Sequence, residues 1–413
     1  MTDSPVRRWL ILLLAALTGA VVIGVPAVSL AVLFKEISGD LHLTLVQIGW
    51  IWSIGSLPAM ITSPLSGALS DRFGPKRVMI AGILLVSLTA GMRGLAQNFT
   101  ALLLIIVAVG ATVPLVMSSA YKISGILFPP RRLGLANGVL SMGMALGALL
   151  GALLSATLLS PALGGWRHVL FFYAAVAILL AVPWGFLRIE PPSPTADAAG
   201  GASIPVRRAL GRVVTIGNIW LLGIAYLGIA GCTQGVSGYL PTYLRASGWN
   251  GASADRALSF LNAISMIFIL PVMFWTDRLK NKRLVLMAMI CVIAAGTALL
   301  GIAGGWATWA ELAMIGVVGS GSTALLITIV IESQGVGPVL AGTATGFVMF
   351  FFYVGNLLAP PIGNRLAEIS SSMPFLFWGG LAAFGIISLL FIKSPATRHA
   401  PPGMGNPEAM ETP

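Results

Sequence analysis

The chain has 413 residues, of which 57% are hydrophobic and only 9% are charged, and it carries a formal net charge of +11. Because soluble domains contain about 25% charged residues, this composition excludes an ordinary water-facing globule. Disorder and collagen are excluded as well, because there is neither a charge excess nor a glycine period. The cations lie in short clusters between long apolar runs, which excludes nucleic acid as a partner. The sequence predicts an all-α membrane protein.

Twelve apolar runs are long enough to cross a bilayer, which needs about 20 such residues per helix. They lie near 9–33, 46–69, 78–96, 100–126, 134–159, 168–187, 214–243, 256–275, 284–303, 308–332, 339–364 and 374–392. The predicted domains are an N-terminal six-helix bundle at 1–187, a cytoplasmic linker at 188–213, a C-terminal six-helix bundle at 214–393 and a flexible cytoplasmic tail at 394–413.

The segments between the runs differ in positive charge. If the amino terminus is inside, seventeen Lys and Arg residues lie in cytoplasmic segments and five lie in outer segments. Positive charge favours the cytoplasmic side of membrane proteins. We therefore expect a multi-pass protein of the cell membrane, specifically the bacterial inner membrane, with both termini in the cytoplasm.

The two halves of the chain repeat. At an offset of 206, Asp71, Arg72, Lys76 and Arg77 correspond to Asp277, Arg278, Lys282 and Arg283. At an offset of 208, Gly138 and Gly147 correspond to Gly346 and Gly355. Matching loops and matching helix glycines predict two pseudo-symmetric six-helix bundles.

The loop after the second run carries a recognisable pattern. Residues Gly67–Arg77 read Gly-Ala-Leu-Ser-Asp-Arg-Phe-Gly-Pro-Lys-Arg, which resembles the cytoplasmic loop motif of the major facilitator superfamily. The resemblance implies that family's fold, a monomer without cofactor or metal, and transport by alternating access between the bundles. It also implies a gating role for the loop residues, namely Gly67, Asp71, Arg72, Gly74, Lys76, Arg77 and the second-copy Asp277 and Arg278.

Two further segments are similar to particular subgroups of that family. Phe128-Pro129-Pro130-Arg131 before Gly134 resembles a loop of organic-anion and nitrate-like porters. Gly91-Met92-Arg93, together with Lys122, resembles cyanate-permease-type members. The resemblance implies an anionic substrate.

Ionisable groups inside a bilayer are costly and mark functional sites. Arg93 and Lys122 are the cations expected within spans, and Glu332 is the one acid expected there away from the loop motifs. Arg93 either snorkels to the outer interface or binds substrate. Lys122 is predicted to face the cavity, with snorkelling to the cytoplasmic side as the alternative. A pair between Lys122 and Glu332 is predicted to form in one conformation only, with a hydrated Glu332 at the interface as the alternative. With so few buried acids, a proton relay built on Asp or Glu is not expected.

Neutral polar residues and glycines complete the predicted site. The expected cavity lining comprises Tyr226, Gln234, Asn262, Ser322, Tyr353 and Asn356, with helix-to-helix hydrogen bonding as the alternative for each. Gly143 and Gly147 are expected at the seam between the bundles, where small residues let helices approach and slide, with tight helix packing alone as the alternative.

The sequence thus favours a transporter of a small organic or inorganic anion, with proton symport, exchange and facilitation left open. Multidrug efflux by the same fold and a non-transporting membrane sensor are the alternatives. Enzyme activity is not expected, because nucleotide-cradle, metal-ligand and nucleophile patterns are missing from the sequence. The expected partners are the substrate, the lipid bilayer and a coupling proton.

Overall fold

The computed structural model describes residues 5–187, 206–277, 279, 281–302 and 304–392. Within these residues the chain is helical and contains no strand. Twelve helical segments are long and apolar enough to cross a membrane, which confirms the predicted number and type of element. Most of the predicted linker and the tail lie outside the described residues, as does all of Arg278.

The spans are numbered 1 to 12 in chain order. They are Val6–Leu41, Leu45–Gly67, Pro75–Leu95, Phe99–Leu127, Leu135–Leu163, Trp166–Phe186, Gly217–Ala246, Gly251–Thr276, Lys282–Leu300, Trp306–Glu332, Thr343–Leu366 and Met373–Leu390. A separate short helix, Val206–Val214, precedes span 7. We call spans 1 to 6 the N-half and spans 7 to 12 the C-half.

Local sequence signals set where several of these helices begin. Thr44 and Gln47 form a reciprocal capping box at the start of span 2, with each side chain bonded to the other residue's backbone N–H. The Asn98 and Asn281 side chains accept hydrogen bonds from backbone N–H groups in the first turns of spans 4 and 9. Span 1 ends where His42 adopts a left-handed conformation, with φ of 51°.

The same set of helix pairs packs in each half. In the N-half, span 1 contacts spans 5 and 6, span 4 contacts spans 2 and 3, and span 3 contacts span 6. Adding six to each number gives the pairs in the C-half. Between the halves, span 2 packs against span 11 and span 5 packs against span 8. Spans 2 and 8 correspond to each other in the two halves, as do spans 5 and 11, so these two contacts are also symmetry-related. The predicted pseudo-symmetric pair of six-helix bundles is therefore confirmed.

One glycine in each half, at symmetry-related positions, lets two helix backbones pack in direct contact. A Cβ on Gly147 of span 5 would collide with the Ala20 carbonyl oxygen of span 1, and one on Gly355 of span 11 would collide with the Leu227 carbonyl oxygen of span 7. Each contact lies within one half. Gly143 likewise packs against span 1, so these glycines do not lie at the seam between the bundles, where the sequence places them.

The glycine contacts give a stability prediction. We expect Gly147→Ala and Gly355→Ala each to lower the free energy of unfolding by about 1–3 kcal/mol, because the added methyl group meets a backbone oxygen that has no room to retreat. Thermal unfolding of the purified protein in detergent measures this.

Gly346→Ala is the matched control. Gly346 is also helical, but its Cβ would meet nothing within 4 Å, so this variant should match or exceed the wild type. Equal melting temperatures for all three variants would contradict the assigned packing.

Candidate functional site: a central cavity between the two halves

The twelve spans place both described ends of the chain on one face of the bundle. We call this face the terminus side and the opposite face the far side. Span 2 runs from the far side, and its Trp52 Nε1 donates to the Gln234 carbonyl oxygen of span 7 at 2.8 Å. Between spans 2 and 11, Asn364 Nδ2 donates to the Leu45 carbonyl oxygen at 2.8 Å. These bonds join the N-half to the C-half.

Glycines let the halves meet closely at this level. An added Cβ at Gly49 would lie 2.7 Å from Pro361 Cα, and one at Gly238 would lie 2.6 Å from the Trp52 ring. We call this set of contacts the far-side seal; it comprises Leu45, Gly49, Trp52, Gln234, Gly238, Pro361 and Asn364. The described contacts therefore close the far side of the interface.

Two chambers lie between the helices. The C-half chamber consists of two cavities of about 300 Å³ and 220 Å³ among spans 5, 7, 8, 9 and 10, which share Ala145, Ser265, Ser320 and Thr323. The N-half chamber is a cavity of about 240 Å³ lined by spans 1, 2, 4, 5 and 11. Both are large enough for a small organic molecule.

Hydroxyl groups and methionines dominate the chamber walls. The lining polar residues of the C-half chamber are Ser141, Tyr226, Thr233, Ser237, Asn262, Ser265, Thr297, Ser320 and Thr323. Those of the N-half chamber are Ser63, Ser66, Ser118 and Tyr353, beside Met117 and Met144. Among the described residues, no charged side chain lines either chamber. The walls can donate hydrogen bonds and offer polarizable contacts.

Three of the predicted lining residues face a chamber. Tyr226 and Asn262 line the C-half chamber, and Tyr353 lines the N-half chamber. Tyr353 Oη lies 3.2 Å from Ser63 Oγ of span 2, so it also joins the two halves. The Tyr226 ring packs against Phe352, next to Tyr353, with 5.0 Å between ring centroids. The structure thus brings the two tyrosines together.

The other predicted neutral residues lie elsewhere. Gln234 belongs to the far-side seal, where its Nε2 donates to the Trp52 carbonyl oxygen at 3.4 Å. Ser322 is fully buried and its hydroxyl donates to the Gly319 carbonyl of its own helix at 2.7 Å. Asn356 is buried in span 11. Hydrogen bonding within and between helices accounts for Ser322 and Gln234.

Arg93 is buried inside the N-half, with 3% of its surface exposed. Its Nε donates to the Ala90 carbonyl oxygen at 2.9 Å and its Nη1 to the Pro26 carbonyl oxygen of span 1 at 3.2 Å. This burial is inconsistent with snorkelling to the interface. The guanidinium instead ties span 3 to span 1.

Lys122 lies on the helix face that forms part of the N-half chamber. Pro114 and Ser118 of span 4 line that chamber, and Lys122 follows at the next four-residue step, about 6 Å nearer the terminus side. Its side chain is partly exposed. That Lys122 binds substrate stays a prediction.

The loop residues mark the terminus side of the molecule. Lys76 Nζ donates to the Gly185 carbonyl oxygen at the end of span 6, at 2.9 Å. In the second half, Arg283 donates to the Leu390 and Ile392 carbonyl oxygens at the end of span 12. Cations suit helix carboxyl ends because the carbonyl groups there carry partial negative charge. Each loop thus fixes the base of one helix to the end of another.

The remaining loop residues are exposed or lie beyond what the structure describes. Gly74 has φ of 85°, which favours glycine, and Gly67 has open space around it. Arg72 and Arg77 are exposed, with the Arg72 guanidinium 5.3 Å from the Phe73 ring. The side chains of Asp71 and Asp277 lie outside the described residues.

Glu332 has a different partner from the one that the sequence suggests. Its Oε1 lies 2.6 Å from Lys282 Nζ, and the carboxylate side chain is 54% exposed. In this conformation Glu332 pairs with Lys282 at the terminus side, so a pair with Lys122 remains a prediction for another state.

Two buried acids escaped the sequence analysis. Asp255 of span 8 is 1% exposed and forms an ion pair with Arg245 of span 7. Glu311 of span 10 is 7% exposed. The expectation that Glu332 is the one acid within a span is therefore wrong. Glu311 was overlooked although it lies inside the predicted tenth run, and Asp255 falls one residue before the predicted eighth run.

A family model for the Major Facilitator Superfamily matches residues 8–360. The chain belongs to this superfamily, whose members are membrane transporters rather than enzymes. The recognition made from the loop motif is confirmed, whereas the subgroup stays a prediction.

The relatives and solved structures cover nearly the whole chain. Multidrug resistance protein 2 of Bacillus subtilis is 24% identical over 382 residues, which cover 84% of this chain and 86% of that protein. Monocarboxylate transporter 11 of Homo sapiens is 26% identical over 402 residues, covering 89% and 79%. A bacterial homologue of the human lysosomal transporter Spinster, in an inward-facing and unoccupied conformation, superposes with a TM-score of 0.73 at 17% identity, covering 94% and 96%. That likeness shows the fold.

The far-side seal gives a second prediction. Trp52→Phe removes the indole N–H that bonds to Gln234, and a net loss of about 0.5–1.5 kcal/mol corresponds to roughly 2- to 10-fold more of the far-side-open state. A cysteine at Ser237, which lines the chamber, should then react correspondingly faster with an impermeant thiol reagent in vesicles that expose only the far side.

Cys232 and Cys291 are replaced by alanine in this experiment so that only the reporter reacts. Trp50→Phe serves as the control, since Trp50 lies in the same helix two residues away. Equal labelling rates for the two variants would show that the Trp52 bond does not hold the far side closed.

Proposed function

We propose that this transporter carries a small organic or inorganic anion across the cell membrane by alternating access. The observation that carries the proposal is the pairing of a donor-rich central cavity with Lys122 at its terminus-side approach. In this view, substrate enters from the terminus side while the far-side seal is closed. The halves then rock, so that the seal opens and the terminus side closes.

The electrostatics of the cavity support an anion. The described lining contains no carboxylate that would repel a negative charge. Wall hydroxyls such as those of Ser63 and Thr323 donate to their own helices, whereas the Ser118 hydroxyl has no hydrogen-bond partner within the described chain and can donate to an anion. Lys122 supplies the positive charge on the cavity face of span 4. A cation in a partly dehydrated cavity attracts an anion more strongly than one in bulk water. A relative named as a monocarboxylate transporter agrees with this class of substrate.

The orientation and the gating role follow as parts of the same proposal. The excess of positive charge in the terminus-side segments supports a cytoplasmic location for that side, in a bacterial inner membrane. The loop carrying Gly67, Asp71 and Arg72 and its second copy would then act at the cytoplasmic ends of the moving halves. Contacts such as Lys76 to Gly185 hold helices within a half, which lets each half move as one body. The boundaries 1–187 and 214–393 define those two bodies.

Multidrug efflux is the second candidate. Met117, Met142, Met144 and Met266 line the chambers, and flexible thioethers adapt to varied apolar surfaces. A relative named as a multidrug resistance protein agrees with this reading. The two candidates differ in the role of Lys122, because a positive side chain repels lipophilic cations.

We expect Lys122→Gln to reduce anion counterflow at least tenfold, because the variant removes the positive charge that we propose attracts the anion. The assay uses proteoliposomes and a panel of labelled anions comprising acetate, pyruvate, benzoate, cyanate and nitrate, preselected by thermal shift of the purified protein. Lys122→Arg should restore most of the activity.

Lys35→Gln is the control, because it removes an exposed cation from the far-side end of span 1. It should leave counterflow unchanged. Saturable uptake that persists in Lys122→Gln removes Lys122 from the mechanism. Transport of lipophilic cations but of no anion in the panel would establish the efflux alternative, and binding without counterflow would establish a sensor.

A further inference from the structure

The described spans contain two buried acids, and they differ in their partners. Asp255 is neutralised by Arg245. Glu311 is not matched in this way: its Oε2 is buried and makes no hydrogen bond within the described part of the chain. An ionised carboxylate without a partner is strongly disfavoured in an apolar interior. A carboxyl group at this position is stable when it carries a proton.

Glu311 lies close to the wall of the C-half chamber. It is one helical turn, about 6 Å, from Ile315, which lines that chamber together with Thr297 of span 9. Spans 9 and 10 are tightly packed here, since a Cβ on Gly296 would lie 3.0 Å from the Ile315 side chain. Glu311 therefore lies one helical turn beyond the chamber wall, on its far side.

Aromatic rings cover the neighbouring far-side turn of span 10. Trp309 packs against Phe260 of span 8 and Trp249, with ring centroids 5.3 Å and 5.9 Å apart. Trp306, about 7.5 Å beyond Glu311 along the helix, is 89% exposed and marks the end of the span. Glu311 is thus roughly one and a half turns inside the far-side surface.

The charged groups on the surrounding spans are engaged with one another or face outward. On spans 7 and 8, Arg245 pairs with Asp255 and Arg256 is exposed. At the end of span 11, Arg365 pairs with Glu368. Span 9 presents Gly296 and Thr297 to this part of span 10. Within the described chain, these neighbours leave Glu311 without a counterion.

We propose that Glu311 is the proton-binding site that couples transport to proton movement. While the terminus side is open, the carboxyl group takes one proton from water that enters the chamber from that side, and it keeps this proton while the halves move. When the seal opens and water reaches this level, the proton passes from the carboxyl oxygen to water and the carboxylate is solvated. The cycle moves one proton across the membrane with no oxidation or reduction. This inference rests on the proposed function, and it supplies the coupling that the function leaves open.

An infrared measurement tests the protonation without any substrate. The wild-type protein in lipid should show the carbonyl-stretch band of a buried protonated carboxyl group near neutral pH, and Glu311→Gln should remove it. Glu368→Gln is the matched control, because it changes an exposed acid and should leave the band intact. A band that persists in Glu311→Gln, or that is missing from the wild type, overturns the proposal.

A transport measurement tests the coupling. With the anion of the panel that the wild type exchanges best, Glu311→Gln should keep exchange within about twofold of the wild type. Its uptake driven by a pH gradient should fall at least tenfold. Glu311→Asp should recover part of the gradient-driven uptake, since it restores a carboxyl group.

The substrate class and the coupling role of Glu311 are tested separately. If the wild type exchanges no anion, the proposed substrate class fails, while the infrared band still decides the state of Glu311. If the wild type exchanges an anion and Glu311→Gln retains full gradient-driven uptake, the coupling role of Glu311 is overturned and the transport function stands.

Discussion

The proposed cycle depends on contacts that persist within each half and on contacts between the halves that can separate at one end. Within each half, helix backbones touch directly at glycines such as Gly147 and Gly355, where even a methyl group does not fit. Between the halves, the far side is closed by the close approach of Gly49 to Pro361 and by hydrogen bonds from Trp52 and Asn364 to backbone carbonyl groups. Each of these hydrogen bonds is worth about 0.5–1.5 kcal/mol, so the far side can exchange them for hydrogen bonds to water when it opens.

Charge is distributed in keeping with that movement. Arg93 joins spans 3 and 1, and the Arg245–Asp255 pair lies within the C-half, although Arg245 also donates to the Val32 carbonyl oxygen of span 1 at 3.3 Å. Breaking a buried ion pair costs several kcal/mol, so keeping the ion pair inside one half avoids that cost during the transport cycle. The chambers themselves carry no charged side chain in their described lining.

Much of the fold was predictable because membrane helices obey simple constraints. Every backbone polar group in a bilayer must be satisfied within the segment, so long apolar runs mark helices directly. The offset between Asp71 and Asp277 gave the pseudo-symmetry, and the motif around Asp71 gave the family. These features are patterns within short stretches of sequence, so they can be identified without knowing how the helices pack.

The site was less predictable because it depends on which way each helix faces. Tyr226, Asn262 and Tyr353 face a chamber, whereas Ser322 bonds to its own helix and Arg93 to a neighbouring one. A hydropathy profile does not show which face of each helix points to a chamber, because nearly every face of these helices is apolar. Gly143 and Gly147 illustrate this limit, since small residues mark close packing but do not identify the partner helix.

Reciprocal motion of the two ends is the central claim, and distances between spin labels test it most directly. One pair of labels replaces Arg77 and Leu284, which are exposed at the terminus-side ends of spans 3 and 9. The other replaces Leu163 and Asn250, which are exposed on the far side in different halves. Pulsed electron paramagnetic resonance in lipid should show one distance lengthening as the other shortens when substrate or pH is changed. Two distances that stay fixed, or that lengthen together, would contradict the account.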